Sequence, residues 1–532
     1  MKAFTEPLLS LAGFEEMTKT AEKSSGLISV TGCIDAQKSQ MIYAFGGHRK
    51  NKLIVTFGEQ KAKELYDEYS FFDKEVVYYP SKDVLFYQSD IRGNLLTAER
   101  IRALKAIREQ ERVTLVTTFD ALMNTMAPIE KMWENVLTLE QGQLLDLKEI
   151  QAALIRMGYE KEYQVQTMGQ FSVRGGILDV FPLTEENPIR IELWGDEIDT
   201  IRYFDCESQK SIENIDRVSI YPAAELVLSD EEKAGGIEKL KAEAERVSDK
   251  LRKQMKTEEA HRVTVMADEL TEEWGELSMY AGMDAFLSYF FDERVGILDY
   301  FKPSDSLIFF DELTRCTEQG KLTETEFSES MKQRLAMGYI LPGQMNGLFT
   351  EKEIVAKLGK YSCIALAALD NKANGLHQLG SYGIHCQSVS PYNNSFELLI
   401  KDLKRYKKNG YRVILLSGSR TRAKRLSEDI TDQGITCFYT ENYDHELFEG
   451  QIMVCYGKVR RGFEYPILKF AVITESDIFG AQQKKKKRHR TYEGEKIQSF
   501  TDLSVGDYVV HENHGLGIYR GIEKLEVDKK VK

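Results

Sequence analysis

Apolar residues recur in the first part of the chain as short, nearly continuous runs: GLISVTG, KLIVTFG, EVVYYP and VTLVTTF. Each is followed by a charged stretch with helical spacing. Short buried runs alternating with amphipathic helices predict an α/β domain with a parallel sheet over residues 1–145. From 146 to 222 the period changes to two. QFSVRGGILDVFP and NPIRIELWGDEIDTIRYFD alternate residue by residue and turn tightly, which predicts a small, mostly antiparallel α+β insertion.

Within residues 223–320, the stretch 229–290 reads as helical and highly charged (SDEEKAGGIEKLKAEAERVSDKLRKQ), and an apolar run, SLIFFDE, closes the section. These residues are expected to return the chain to the first α/β domain, split by the insertion. A polar stretch, 321–354, reads as a linker. YSCIALAAL, YRVILLSGSRTRAKRL, GQIMVCYG and KFAVITESD then predict a second small α/β domain over 355–480. The run KKKKRHR, Lys484 to Arg490, lies in a basic linker, 481–499. The segment DLSVGDYVVHENHGLGIYRGI, within 500–532, reads as the first hairpin of an incomplete β-barrel.

Composition fits this multidomain picture. At 532 residues the chain is too long for one core, and 42% hydrophobic with 29% charged residues describes folded rather than disordered protein. No apolar stretch approaches the ~18 residues of a membrane helix and the N-terminus is unlike a signal peptide, so a cytoplasmic protein without membrane contact is expected. Seven scattered cysteines make no CxxC pair and are expected to be reduced. His511 and His514 form HxxH in a turn-like segment; no metal site is expected. The net charge of −13 is uneven, because residues from 481 onward carry 12 basic and 8 acidic side chains, leaving −17 on residues 1–480. Nucleic-acid binding by that larger part would need a local basic patch.

Two groups of residues carry candidate chemistry. Gly32-Cys-Ile-Asp-Ala-Gln37-Lys38-Ser39 follows a strand and precedes a helix, the setting of a phosphate loop GxxxxGK[ST]. Gln37 replaces the second glycine, and Asp35 adds negative charge where phosphates would lie. Asp311-Glu312 at the end of Ser306–Phe310 resembles the acidic pair that holds Mg²⁺ in helicase-type ATPases. Together they read as a degenerate, inactive nucleotide site, and the chain is expected to use no cofactor and to be no enzyme. In the insertion, a two-residue period puts Arg190, Glu192 and Trp194 on the outward face of one strand, with Arg174 projecting from a neighbour. Trp with Arg is the composition of an interface hot spot. The alternative is that Trp194 folds over the sheet edge and Arg190 pairs with Glu192 or Asp196.

Several of these stretches, in this order, resemble one family, the bacterial transcription-repair coupling factor, Mfd. The resemblance rests on QFSVRGGILDVFP with IRIELWGDEIDTIRYFD, ILLSGSRTRAKRL, RRGFEYPILKFAVITESDIFG and VGDYVVHENHGLGIYRGI. It implies a UvrB-like α/β module that does not use ATP, interrupted by a UvrA-binding domain in which Arg174, Arg190 and Trp194 carry recognition. It further implies a small α/β domain and a barrel that binds RNA polymerase. The family's ATP- and Mg²⁺-dependent motor domains, which translocate on double-stranded DNA, and a C-terminal domain that masks the UvrA site would lie beyond Lys532. The UvrA face of this chain is accordingly expected to be constitutively available, and the polymerase contact to be weakened by the incomplete barrel. The rival reading is a UvrB-like ATP-dependent DNA repair helicase, which would need an intact phosphate loop.

Overall fold

The computed structural model describes residues 1–46, 49–82, 94–276, 282–369 and 375–480, together with four short strands between 508 and 531. Residues 1–480 form one compact unit and 481–532 a second.

The larger unit is built on a seven-stranded sheet. Across the sheet the strands are Gln378–Gly383, Gly26–Thr31, Ser362–Leu366, Ser306–Asp311, Asn51–Thr56, Val113–Thr118 and Val76–Tyr79, and every neighbouring pair is parallel. The apolar runs are continuous rather than alternating because the central strands are buried on both faces, as Ser306–Asp311 and Val113–Thr118 are along their whole length. Helices such as Asp35–Phe45, Glu59–Tyr69 and Leu313–Ala336 supply the covering layers.

The linker expected at 321–354 is not a linker. Leu313–Ala336 is a single 24-residue helix, and Phe327 and Met331, one turn apart, bury in the core of the first domain with Ile340, Leu348 and Phe349. Its sparse apolar residues fall on one face, which a polar average conceals. Nor does the second α/β domain begin at 355: Ser362–Leu366 and Gln378–Gly383 complete the first sheet by pairing with Gly26–Thr31.

The second sheet runs Gln387–Ser388, Phe463–Tyr465, Phe470–Thr474, Arg412–Ser417, Ile452–Tyr456 and Phe438–Tyr439, with a parallel centre and an antiparallel edge. Its apolar face joins that of the first sheet in one core, where Ile28, Phe309 and Ile364 share a cluster with Ile414, Met453 and Val472.

The insertion leaves the parent domain through Leu137–Glu140 and returns through Arg217–Ile220, which pair antiparallel. It therefore starts at about residue 137 rather than 146. Between these stem strands lies a six-stranded sheet in the order Ser211–Ile215, Glu197–Phe204, Ile189–Trp194, Ile177–Val180, Gln170–Arg174 and Glu160–Lys161, antiparallel except for the last pair. The helix Leu147–Arg156 shares its core, burying Ile150 and Leu154 with Phe171, Leu178, Ile189 and Ile191.

After the insertion, Asp230–Lys253 and Thr257–Glu276 form a helical pair around Leu240, Val263 and Trp274. The first of these helices starts with a capping box between Ser229 and Glu232. Where the chain re-enters the parent domain, buried Glu225 accepts hydrogen bonds from Arg100 at 2.7 and 3.1 Å. In the smaller unit, Tyr508–His511 and Gly515–Ile518 form an antiparallel hairpin, and Glu526–Val527 pairs with Lys530–Val531. The basic run Lys484–Arg490 and His514 lie outside the described residues.

Candidate functional site

The residues of the phosphate-loop-like segment are assembled at the C-terminal edge of the parallel sheet, where ligands of such sheets bind. Gly32 has φ +77°, and a Cβ there would overlap the Ile384 carbonyl oxygen. The glycine thus serves the close approach of the chain's own backbone. Gln37, which stands where a phosphate loop has its second glycine, is a helical residue. It lies inside the first turn of Asp35–Phe45, outside the left-handed region and fully buried. Ser39 is buried one residue beyond Lys38.

Lys38 is enclosed by carboxylates. Its ammonium lies 2.5 Å from Asp311 Oδ1, 3.0 Å from Glu312 Oε1 and 3.1 Å from Asp35 Oδ1. An ammonium has three N–H donors, and each has an acceptor here, leaving none for a phosphate. Burial alone would lower the lysine's pKa, but Asp311, Glu312 and Asp35 more than offset it and hold the group above the ordinary lysine range. One ammonium thus faces three carboxylates, and the cluster keeps a net negative charge. Glu312 adopts φ +60° at the N-cap of Leu313–Ala336. Among the described residues no group of three or more His, Cys, Asp or Glu side chains is placed to hold a metal, and no helix is long and apolar enough to cross a membrane.

Beside this site, the two α/β domains enclose a cleft of about 260 Å³ whose lining includes Lys61, Glu64, Glu68, Arg460 and Arg461. Arg460 bridges the domains by pairing with Glu64 at 2.8 Å. Burial pushes the Glu68 carboxyl up to about 7, against the opposing effect of Lys61 and Arg460.

The insertion presents the other group. Strand register sets Ser172, Asp179, Arg190 and Arg202 opposite one another in one row, and Arg174, Ile177, Glu192 and Thr200 in the next. Directly opposed residues project to the same face, so the three candidate residues share the sheet surface away from the aliphatic core. Asp179 organises it. Buried between neighbouring strands, its carboxylate receives Arg190 Nε at 2.7 Å and Nη2 at 2.9 Å, and Arg174 Nη2 at 3.1 Å.

Arg190 also reaches Gln209 Oε1 at 2.8 Å, and its guanidinium lies 4.3 Å from the centre of the Phe204 ring. Neither Glu192 nor Asp196 is its partner: Glu192 pairs with Arg202, whose hydrogen bond lowers the carboxyl's pKa. Arg190 is 13% exposed and Arg174 38%. Trp194 does not fold over the sheet edge. It is 84% exposed, at the end of its strand before Gly195, which takes φ +67° in the turn. Tyr163, also largely exposed, lies 5.9 Å from the Arg174 guanidinium. Asp179 was not among the residues singled out from sequence, although its place in GGILDVF, two beyond Ile177, marks the outward face.

Two family models match the chain: the UvrB interaction domain over residues 137–226, and the CarD-like/TRCF RID domain over 503–532. The first interval begins at the stem strand Leu137–Glu140. The chain is 30% identical over 478 residues to a transcription-repair-coupling factor of Bacillus subtilis (strain 168), covering 89% of this chain and 40% of that protein. It is 29% identical over 512 residues to that of Staphylococcus haemolyticus (strain JCSC1435), covering 94% and 42%. For the factor of Staphylococcus aureus (strain MRSA252) the identity is 28% over 529 residues, covering 97% and 43%. The chain thus spans about two fifths of the length of the relatives it matches. With both family models on one chain and relatives matched along nearly all of it, the chain belongs to the transcription-repair-coupling factor family and corresponds to its N-terminal portion.

Proposed function

We propose that this chain is a docking platform for UvrA, and that the whole protein recognises RNA polymerase stalled at DNA lesions, releases it with ATP and recruits the excision-repair machinery. The observation that carries the reading is the outer sheet face of 137–226. There an exposed tryptophan stands beside two arginines fixed by one buried carboxylate. A rigid aromatic anchor with pre-ordered guanidinium groups is the composition of an interface that loses little entropy on binding. Trp194 and Arg174 make the contact in this reading, while Arg190 holds the platform together with Asp179. Pull-down of purified UvrA tests it. Trp194→Ala and Arg174→Ala are expected to weaken capture at least tenfold, and Arg190→Ala to weaken it through loss of order at Arg174. Equal capture by all three variants and the parent chain would reject the site.

RNA polymerase is the partner we assign to 503–532, supported by the RID-domain match. We read the Lys38 site as non-catalytic, against the alternative of a UvrB-like ATP-dependent helicase. Saturation of all three ammonium donors supports this. Tight Mg²⁺-dependent ATP binding, lost in Lys38→Ala, would favour the helicase. ATP, Mg²⁺ and double-stranded DNA are then assigned to the remainder of the whole protein.

A further inference from the structure

The outer row that contains Trp194 continues past it. Glu197 lies opposite Trp194 in the ladder, and Leu144 forms an isolated antiparallel bridge with Glu197. Opposed residues share a face, so Leu144, Glu197 and Trp194 stand in one row with the carboxylate between two apolar side chains. Leu144 is 75% exposed. It is nonetheless held on a rigid segment. Leu145 N–H donates to the Asp196 carbonyl at 2.7 Å, Ile198 N–H to Gln143 at 2.9 Å and Gly142 N–H to Ile198 at 2.8 Å, and the next side chain, Leu145, is buried.

A cleft of about 690 Å³ opens beside this row, and Trp194 forms part of its wall. Its charged lining consists of Glu140, Glu197, Asp199 and Asp216 against Arg217, and Arg217 is already paired with Glu140 at 3.1 Å. The docking face is therefore divided in charge, cationic at Arg174 and anionic around the Leu144–Trp194 tip. An acidic partner segment would meet uncompensated carboxylates at the tip. So would a second copy of this chain docked tip to tip, because a two-fold contact sets each carboxylate against its own kind.

We propose that Leu144 and Trp194, with the adjoining acidic cleft, form a second contact zone of the platform, and that it receives a UvrA segment presenting an apolar side chain flanked by lysine or arginine. This rests on the UvrA-docking reading and adds the chemistry of the partner segment. The apolar side chain packs between the leucine and the indole. Its basic neighbours reach the cleft carboxylates and lie within range of the indole face.

The affinity of the 532-residue chain for purified UvrA, measured by calorimetry across a salt series, tests the proposal. Leu144→Ala is expected to weaken binding about tenfold. Glu197→Lys combined with Asp199→Lys is expected to weaken it further and to flatten its dependence on salt. Ile212→Ala, an exposed apolar residue on the edge strand, should bind as the parent does. Parental affinity in Leu144→Ala, or an unchanged salt dependence after charge reversal, while Trp194→Ala is impaired, would overturn this proposal and leave the platform standing. Failure of the parent chain to bind UvrA would overturn both.

Discussion

At the scale of single residues, Lys38 is a cation paired with three carboxylates at once. Removing it leaves Asp311 and Glu312 facing one another without a counter-charge, Asp311 fully buried. Lys38→Ala is expected to cost about 3–5 kcal/mol of stability, the usual consequence of breaking a buried ion pair from one side. Chemical denaturation of the two proteins measures it.

Glu68 makes a different prediction. Its folded-state pKa of about 7 lies above the unfolded value of 4.5, so the protonated form favours the fold. Below pH 4.5 the group is protonated in both states and costs nothing. As pH rises from 4.5 to 7 only the unfolded chain ionises it, and stability is lost by up to roughly 3 kcal/mol, constant above pH 7. Glu68→Gln should therefore match the parent near pH 4.5 and be the more stable of the two at pH 8. Melting curves across that range check the sign.

How much of the site the sequence discloses depends on whether its logic is local. The period of two placed Arg174, Arg190 and Trp194 outward, because alternation is a property of one strand. It could not supply Asp179, whose role arises from register between three strands. The same holds for Lys38, two of whose three carboxylate partners lie some 270 residues away.

At the scale of elements, the two stem strands decide what the insertion is. Because Leu137–Glu140 and Arg217–Ile220 lie side by side, the excursion begins and ends at one place, and it carries its own core of Phe171, Leu178, Ile189, Ile191 and Ile201. A fragment of residues 137–226 is expected to fold by itself with a cooperative melting transition, visible by near-ultraviolet dichroism. A broad, non-cooperative signal would show that the core needs the parent domain. The stretches misassigned from sequence were those whose partners are remote in the chain. YSCIALAAL has the run length of a buried strand wherever it is placed, and only its pairing with Gly26–Thr31 assigns it to the first sheet. The polar 321–354 segment hid a helix because few apolar residues are needed to seat one face.

At the scale of the larger unit, the two α/β domains share one apolar cluster and are clamped by Arg460 with Glu64. Domains joined by a continuous core lose each other's support on unfolding. Residues 1–480 without the insertion are expected to melt in one calorimetric transition, with the two sheets unfolding together. Two resolved transitions, one lost on deleting residues 385–480, would show that each sheet is independently stable.

The placement of Gly26–Thr31 also bears on how the polypeptide is made. Both of its sheet neighbours, Ser362–Leu366 and Gln378–Gly383, are synthesised about 330 residues later. At typical elongation rates a ribosome takes roughly 15–70 s to cover that distance, and throughout it a six-residue apolar strand has no lateral partner. The nascent chain is then most exposed to misassociation near its own beginning, and any product ending before residue 362 carries that unpaired strand permanently.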